Sequence, residues 1–278
     1  MKKLNFIIKC GLALLLLSFY SCESWLNVTP SDRLSEEMLF NDREGFVKAL
    51  NGVYIELNTN ELYGRNLTAG ALDVMGQYYS VASSSHAFYN YGGLVYTGND
   101  EKALFDNMWQ KCYAVIACCN TIIEKCDENK AGLSPVWRGS IKGEALALRA
   151  MLHFDMLRLF GPLTSELDKE SIPYQTNSDQ TVTPLLSGSE VVGLILDDLK
   201  NAVGLLKDTD PYFVEEEFSD TDLNYRRFRM NYFAAKGLMA RVQLWGGDKE
   251  KAAATAKEVI AEGQAEGAEF FPFVTNSE

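Results

Sequence analysis

The chain has 278 residues, 47% of them hydrophobic, with 26 Lys and Arg against 38 Asp and Glu, for a net charge of −12. That length can bury one or two real cores. The acidic balance argues against a nucleic-acid ligand, whose phosphates need neutralising by Lys and Arg.

The first segment reads as an export signal. Lys2, Lys3 and Lys9 form a basic patch, Leu12 to Leu17 is almost purely apolar, and small Ser21 precedes Cys22. Basic, apolar, small is the order of a secretory signal, and the apolar run is too short to span about 30 Å of hydrocarbon. A signal ending at cysteine is the pattern of bacterial lipoproteins, in which that Cys is lipidated and becomes the new N-terminus, and acyl chains there anchor a soluble domain. Residues 1–21 are therefore expected to be signal, Cys22 the lipidation site, and 22–39 a tether, broken by Thr29-Pro30-Ser31-Asp32. Cleavage before Cys22 removes three lysines and no acid, taking the net charge from −12 to −15.

From residue 40 onward the apolar spacing is helical. Phe46, Leu50, Val53, Tyr54 and Leu57 form one stripe on a helix over 41–57, with Asn41 as its cap. Phe105, Met108, Cys112, Val115, Cys119, Ile122 and Cys126 recur by threes and fours over 100–126. A third helix, 136–160, faces inward with Ile141, Ala145, Leu148, Leu152, Met156 and Leu159, and stops at Gly161-Pro162, a pair suited to a left-handed end. Val192, Ile195, Leu199, Ala202 and Leu206 stripe a fourth over 189–206. Residues 231–245 and 249–261 read as a helical hairpin turned at Gly246-Gly247-Asp248, with Ala234, Ala235, Gly237, Ala240 and Ala252 to Ala254 permitting close approach. Helix–turn–helix units of this Ala/Gly/aromatic mix predict an all-α fold of TPR-like hairpins. Three long irregular segments, 58–98, 163–187 and 207–229, separate the helices, and loops of that length are often functional.

Four stretches in this order resemble the SusD/RagB family of outer-membrane nutrient-binding lipoproteins. They are Cys22-Glu23-Ser24-Trp25-Leu26-Asn27-Val28-Thr29-Pro30, Phe40-Asn41 through Asn51-Gly52-Val53-Tyr54, Gly143-Glu144-Ala145 through Phe160-Gly161-Pro162, and Ala234-Ala235-Lys236-Gly237 through Gly246-Gly247-Asp248. The resemblance implies a SusD-like helical domain over 40–278 and a lipid-anchored place outside a Bacteroidetes-type outer membrane. It implies a TonB-dependent, SusC-type barrel as partner and an oligosaccharide or other nutrient as ligand, with no cofactor. Family members usually run well beyond this length, so the resemblance also implies that part of the ligand pocket lies outside this sequence. The alternative is a TPR-like docking protein without ligand capture of its own.

The 58–98 loop is the candidate ligand segment. Aromatic faces pack on the C–H faces of sugar rings, while amides and carboxylates meet the hydroxyls. Asp73, Gln77, Tyr78, Tyr79, Tyr89, Asn90 and Tyr91 supply both kinds of group.

Residues suggesting other chemistry have simpler readings. Cys112, Cys119 and Cys126 share a helix face over about 21 Å, too far apart for one tetrahedral metal, and read as small buried residues. His153 reads as a core hydrogen-bonding residue. His86, after Ser83-Ser84-Ser85, lacks a nucleophile-elbow pattern. Arg149 and Arg158, with Glu144 and Asp155 near, read as helix braces. Asp197-Asp198 and Glu215 to Glu217 read as solvated surface, and Asp208, Asp210, Asp220 and Asp222 lack EF-hand spacing. No pattern points to an enzyme.

Overall fold

The computed structural model describes residues 36–179, 181–214 and 217–264. Met1–Leu39 and Phe40–Glu278 are separate units, and of the first only one helical turn, Glu36–Leu39, is described. Cys22, the signal and most of the tether lie outside the described residues.

The second unit is built on long antiparallel helices. Helix α1 spans Arg43–Leu57, α2 Ala71–Met75, α3 Tyr89–Gly92, α4 Asn99–Glu128 and α5 Pro135–Phe160. Strands β1 (Glu170–Pro173) and β2 (Leu185–Ser187) pair antiparallel, with an irregularity between Glu170 and Pro173. Helices α6 (Gly188–Thr209), α7 (Asp220–Arg226), α8 (Tyr232–Trp245) and α9 (Lys249–Gly263) follow. The long helices pair α4 with α5, α5 with α6 and α8 with α9. The fold is the predicted all-α, TPR-like one; among the described residues a small hairpin of strands lies inside the 163–187 segment, and the short helix α7 lies inside the 207–229 segment expected to be irregular. No described helix is long and apolar enough to cross a membrane.

Side-chain caps set the helix starts. Asp42, not Asn41, caps α1 by accepting from Gly45 N at 2.8 Å. Ser134 caps α5, with Pro135 in its first turn, and Ser187 with Glu190 forms a capping box on α6. Gly161 ends α5 at φ −85°, so the left-handed end is not used there. Glycine is needed because a Cβ would lie 2.4 Å from the Leu157 carbonyl oxygen.

The predicted stripes are the core. Phe46, Leu50, Val53 and Leu57 of α1 meet Met108, Cys112, Val115, Cys119, Ile122 and Cys126 of α4 and Leu148, Leu152 and Met156 of α5, all buried. Each fully buried Leu, Ile, Phe or Met contributes roughly 1.5–3 kcal/mol. On α6 the buried residue is Val191 rather than Val192. Of the small residues expected to permit close approach on the α8–α9 pair, Ala235, Ala240 and Ala252 are buried, whereas Ala234, Ala253 and Ala254 are exposed. Burial raises the Cys112 thiol well above its ordinary range, as it does the Cys119 and Cys126 thiols, consistent with packing roles. Cys118 faces outward.

Two buried polar clusters join the helices. In the first, Arg226 forks onto Asp210, with Nε 3.0 Å from Oδ1 and Nη2 2.6 Å from Oδ2, and Nη1 donates to Glu144. Glu144 also accepts from Tyr54 Oη and from Arg229 Nε at 2.7 Å. Asp210 accepts from Tyr232 N at 2.8 Å, at the start of α8. Burial alone would raise the Glu144 carboxyl, but Arg226 and Arg229 outweigh it and hold it below its ordinary range. In the second cluster Arg149 forks onto Asp198 at 2.7 and 2.6 Å and reaches Asn120 at 2.8 Å. Tyr174 Oη donates to Asp198 at 2.6 Å. Asp198 and Asp210 are thus buried partners of arginine, not solvated acids. Arg149 and Glu144 brace helices as expected, but each through a distant residue and not each other. Arg158 pairs with Asp155 at 3.0 Å.

His153 is fully buried beside the second cluster, stacked 4.0 Å from Tyr174. Its Nδ1 faces the Arg149 carbonyl at 3.0 Å and its Nε2 accepts from Gln175 N at 3.0 Å. A carbonyl only accepts, so Nδ1 carries the proton and the ring is neutral. Burial depresses the imidazole from 6.5 to about 3.

Two outcomes follow from the clusters. Arg226→Met leaves buried Asp210 without its cation and Glu144 with Arg229 alone, and should cost about 3–5 kcal/mol in urea unfolding; a loss under about 1 kcal/mol would show that water replaces the guanidinium. For His153 the folded ring refuses a proton that the unfolded chain accepts below pH 6.5. Its contribution is full above that pH and is lost as pH falls toward 3, roughly 2 kcal/mol between pH 7 and 5. His153→Gln should flatten that part of the stability profile, and an unchanged profile would rule out a neutral buried ring.

Candidate functional site

The 58–98 segment is not structureless. A run of tight turns leads into α2, a second loop reaches α3, and the two lie against each other. Tyr91 anchors them. Its ring, 2% exposed, meets Phe88 at 5.8 Å, Tyr96 at 6.3 Å and Phe105 of α4 at 5.9 Å, and Phe105 in turn meets Phe160 of α5 at 6.2 Å. Burial, then the Glu101 and Asp100 carboxylates, push the Tyr91 phenol up to about 12. Tyr63 Oη adds a tie to Asp155 on α5 at 2.7 Å.

Above this aromatic base is a cleft of about 400 Å³ lined by Gln77, Tyr79, Ser80, Val81, Tyr89, Asn90, Gly92, Gly93 and Val95. Among the described residues its lining holds no charged side chain. Tyr79 is 54% and Tyr89 42% exposed, so both rings are free to receive a ligand face. The loops on either side carry non-glycine residues in the left-handed region, Gln77 at φ 62° and Leu94 at φ 54°. Such backbone persists where surrounding bonds hold it. Here Gln77 Nε2 donates to Val74 O at 3.2 Å and to Gly92 O at 3.0 Å, joining the two loops, and Val95 N donates to Asn90 O at 2.8 Å. Asn90 Nδ2 donates to Glu101 Oε1 at 2.7 Å.

Of the seven residues expected here, Gln77, Tyr79, Tyr89 and Asn90 share the cleft. Tyr78 is 80% exposed but outside the lining, and Asp73 is half-buried in the first turn of α2, where its carbonyl accepts from Tyr78 N. Tyr91 is a correction, because its ring belongs to the core and no face is open to a ligand. Sequence reasoning missed Glu101, which reads only as a first-turn acid of α4, and the glycines and valines whose backbone shapes the cleft.

A larger cavity, about 500 Å³, lies between α1, α5 and the 211–229 segment. Three of its rings carry a guanidinium, while Phe228 and Tyr225 remain 68% and 61% exposed. Arg43 sits 4.7 Å over Trp137, Arg229 4.6 Å over Tyr54, and Arg227 4.8 Å over Phe228. Its floor is the Glu144–Arg226 pair, whose charges are mutually satisfied. Among the described residues no group of His, Cys, Asp and Glu could hold a metal ion.

Paired helices that carry a loop-built, uncharged, tyrosine-edged cleft define a helical-repeat binding scaffold. Residues 24–244 match the SusD-like family described as "Starch-binding associating with outer membrane", and the chain belongs to that family. A SusD-like protein of Formosa agariphila is 25% identical over 265 residues, covering 93% of this chain and 46% of its own. A SusD-like carbohydrate-binding protein of Bacteroides vulgatus shares the fold at TM-score 0.66 and 23% identity, over 85% of this chain and 47% of that one. A laminarin-binding SusD-like protein does so at TM-score 0.59 and 17% identity, over 80% and 44%. The chain spans about half the length, or less, of the relatives it matches.

Proposed function

We propose that this chain is the helical portion of a non-catalytic cell-surface lipoprotein, anchored through Cys22, that captures an oligosaccharide for a SusC-type, TonB-dependent outer-membrane transporter. The observation that carries the reading is the uncharged cleft edged by the open rings of Tyr79 and Tyr89. Sugar rings offer C–H faces to such rings and hydroxyls to such amides, and the binding needs no titrating group. The family's description and the laminarin-binding neighbour support a glycan as the ligand class. The signal-like start ending at Cys22 supports the anchor, and the family's association with the outer membrane supports its place. A helical-repeat scaffold is also suited to docking a protein partner, which supports delivery to a barrel.

Tyr79→Ala and Tyr89→Ala should each weaken retention in a laminarin-containing native gel by about tenfold, near 1.4 kcal/mol per ring, with helix content unchanged. Tyr91→Ala should instead destabilise the fold by roughly 3–5 kcal/mol. Unchanged retention in the Tyr79/Tyr89 double variant would remove this cleft from consideration and favour a docking role. Cys22→Ser should move the protein from the membrane to the soluble fraction, and a variant still held in the membrane would refute lipidation at that residue.

A further inference from the structure

The two amides of the cleft do not face it at random. A side-chain amide has a donor end and an acceptor end of nearly equal size, and its orientation is set by the groups it meets. Gln77 meets two backbone carbonyls, those of Val74 and Gly92, so its nitrogen must face them. A turned amide would set oxygen against oxygen twice. Asn90 meets the Glu101 carboxylate, which only accepts, so its nitrogen too is drawn toward the protein. Both residues line the cleft, and what is left to a ligand is two acceptors, Gln77 Oε1 and Asn90 Oδ1, beside the one Asn90 N–H not given to Glu101.

Glu101 is the unusual member. It is 5% exposed, and among the described residues its hydrogen-bond donor is Asn90. It lies in the first turn of α4, where the helix N-terminus favours a negative charge. Gly98 lets it fit, since a Cβ there would lie 2.0 Å from Oε2. A buried carboxylate held by a neutral amide is costly where its role is packing alone, but a charge-assisted bond of this kind fixes an amide firmly.

We infer that Glu101 is a specificity-determining residue: by holding Asn90 with its nitrogen inward, beside the clamped Gln77, it gives the cleft an acceptor-rich rim that selects neutral, hydroxyl-bearing glycans over anionic ones. Sugar hydroxyls donate to both amide oxygens. A carboxylate or sulfate there would meet lone pairs, a lining without cations, and the Glu101 charge behind Asn90. This inference rests on the cleft being the glycan site, and it goes further by naming the class of glycan and the residue that decides it.

Two measurements test it on the 278-residue chain and its Glu101→Gln variant, a near-isosteric change. The first is hydrogen exchange of the side-chain amides by NMR, which requires no ligand. Asn90 should be protected in the parent and lose that protection in the variant. The second is titration with a laminari-oligosaccharide and with an oligogalacturonate of equal length. The parent should prefer the neutral sugar by at least about tenfold, and Glu101→Gln should reduce that preference to under about threefold, because the new amide can donate to Asn90 Oδ1 and turn its nitrogen to the cleft. Asn90→Ala should lower affinity for the neutral sugar with little effect on the anionic one. A freely exchanging Asn90 amide in the parent, or an unchanged preference in Glu101→Gln, overturns the inference. If the parent binds neither sugar, the glycan reading itself falls, while the amide exchange still decides whether Glu101 orients Asn90.

Discussion

The buried fork of Arg226 on Asp210, shared with Glu144, is the contact on which the arrangement of helices most depends. Four further elements meet α7's Arg226 there. Tyr54 brings α1, Glu144 brings the middle of α5, Asp210 closes α6, and Tyr232 N opens α8. Apolar stripes make helices adhere, but they tolerate sliding and rotation because dispersion and burial have little direction. A guanidinium with four of its five donors assigned tolerates neither. The cost of burying these charges is large, and it is offset only when every partner is in place. The cluster therefore selects one register among many that the stripes alone would allow.

The second cluster applies the same physics to a loop. Arg149 and Asp198 join α5 to α6, and their remaining capacity binds the chain after β1. Asn120 holds the carbonyls of Gln175 and Asn177, Tyr174 reaches Asp198, and His153 accepts from Gln175 N. Backbone polar groups in an irregular segment need partners wherever they are buried. Here side chains of α4 and α5 provide them, so a segment with little regular structure is held against the bundle. The 58–98 segment is anchored differently, by one buried tyrosine among phenylalanines and by amide clamps between its own loops.

That difference accounts for where a ligand can be received. The larger cavity near the Arg226 cluster keeps Tyr225 and Phe228 exposed, but guanidinium groups lie over Trp137, Tyr54 and Phe228, and the charges of its Glu144–Arg226 pair are neutralised by one another. The smaller cleft has open rings, unspent amide oxygens and a rigid base. Openness and preorganisation matter more than volume here, because binding returns only what exceeds the cost of displacing groups already satisfied.

The helices were legible in the sequence because their signal is local. A stripe recurring every three or four residues, a Ser before a helix, or a Gly-Pro after one is contained in a short window, and the core stripes and ends follow it within a residue or three. Small departures, such as Val191 for Val192 or Asp42 for Asn41, are single-residue choices between near-equivalent neighbours. The aromatic loop was also legible by composition as a ligand segment, but not in the division of its tyrosines into open and buried. Tyr91 and Tyr89 are two residues apart with the same chemistry, and only packing against Phe88, Tyr96 and Phe105 separates them. The burial of Asp198, Asp210 and Glu101 was beyond the sequence for the same reason. Arg226 finds Glu144 across 82 residues and Arg229 finds Asn51 across 178, so no local pattern distinguishes these charges from solvated ones. Sequence determined which segments coil, where they stop and which faces are apolar, and the tertiary structure alone decided which polar groups meet, because partners brought together by folding leave no periodicity along the chain.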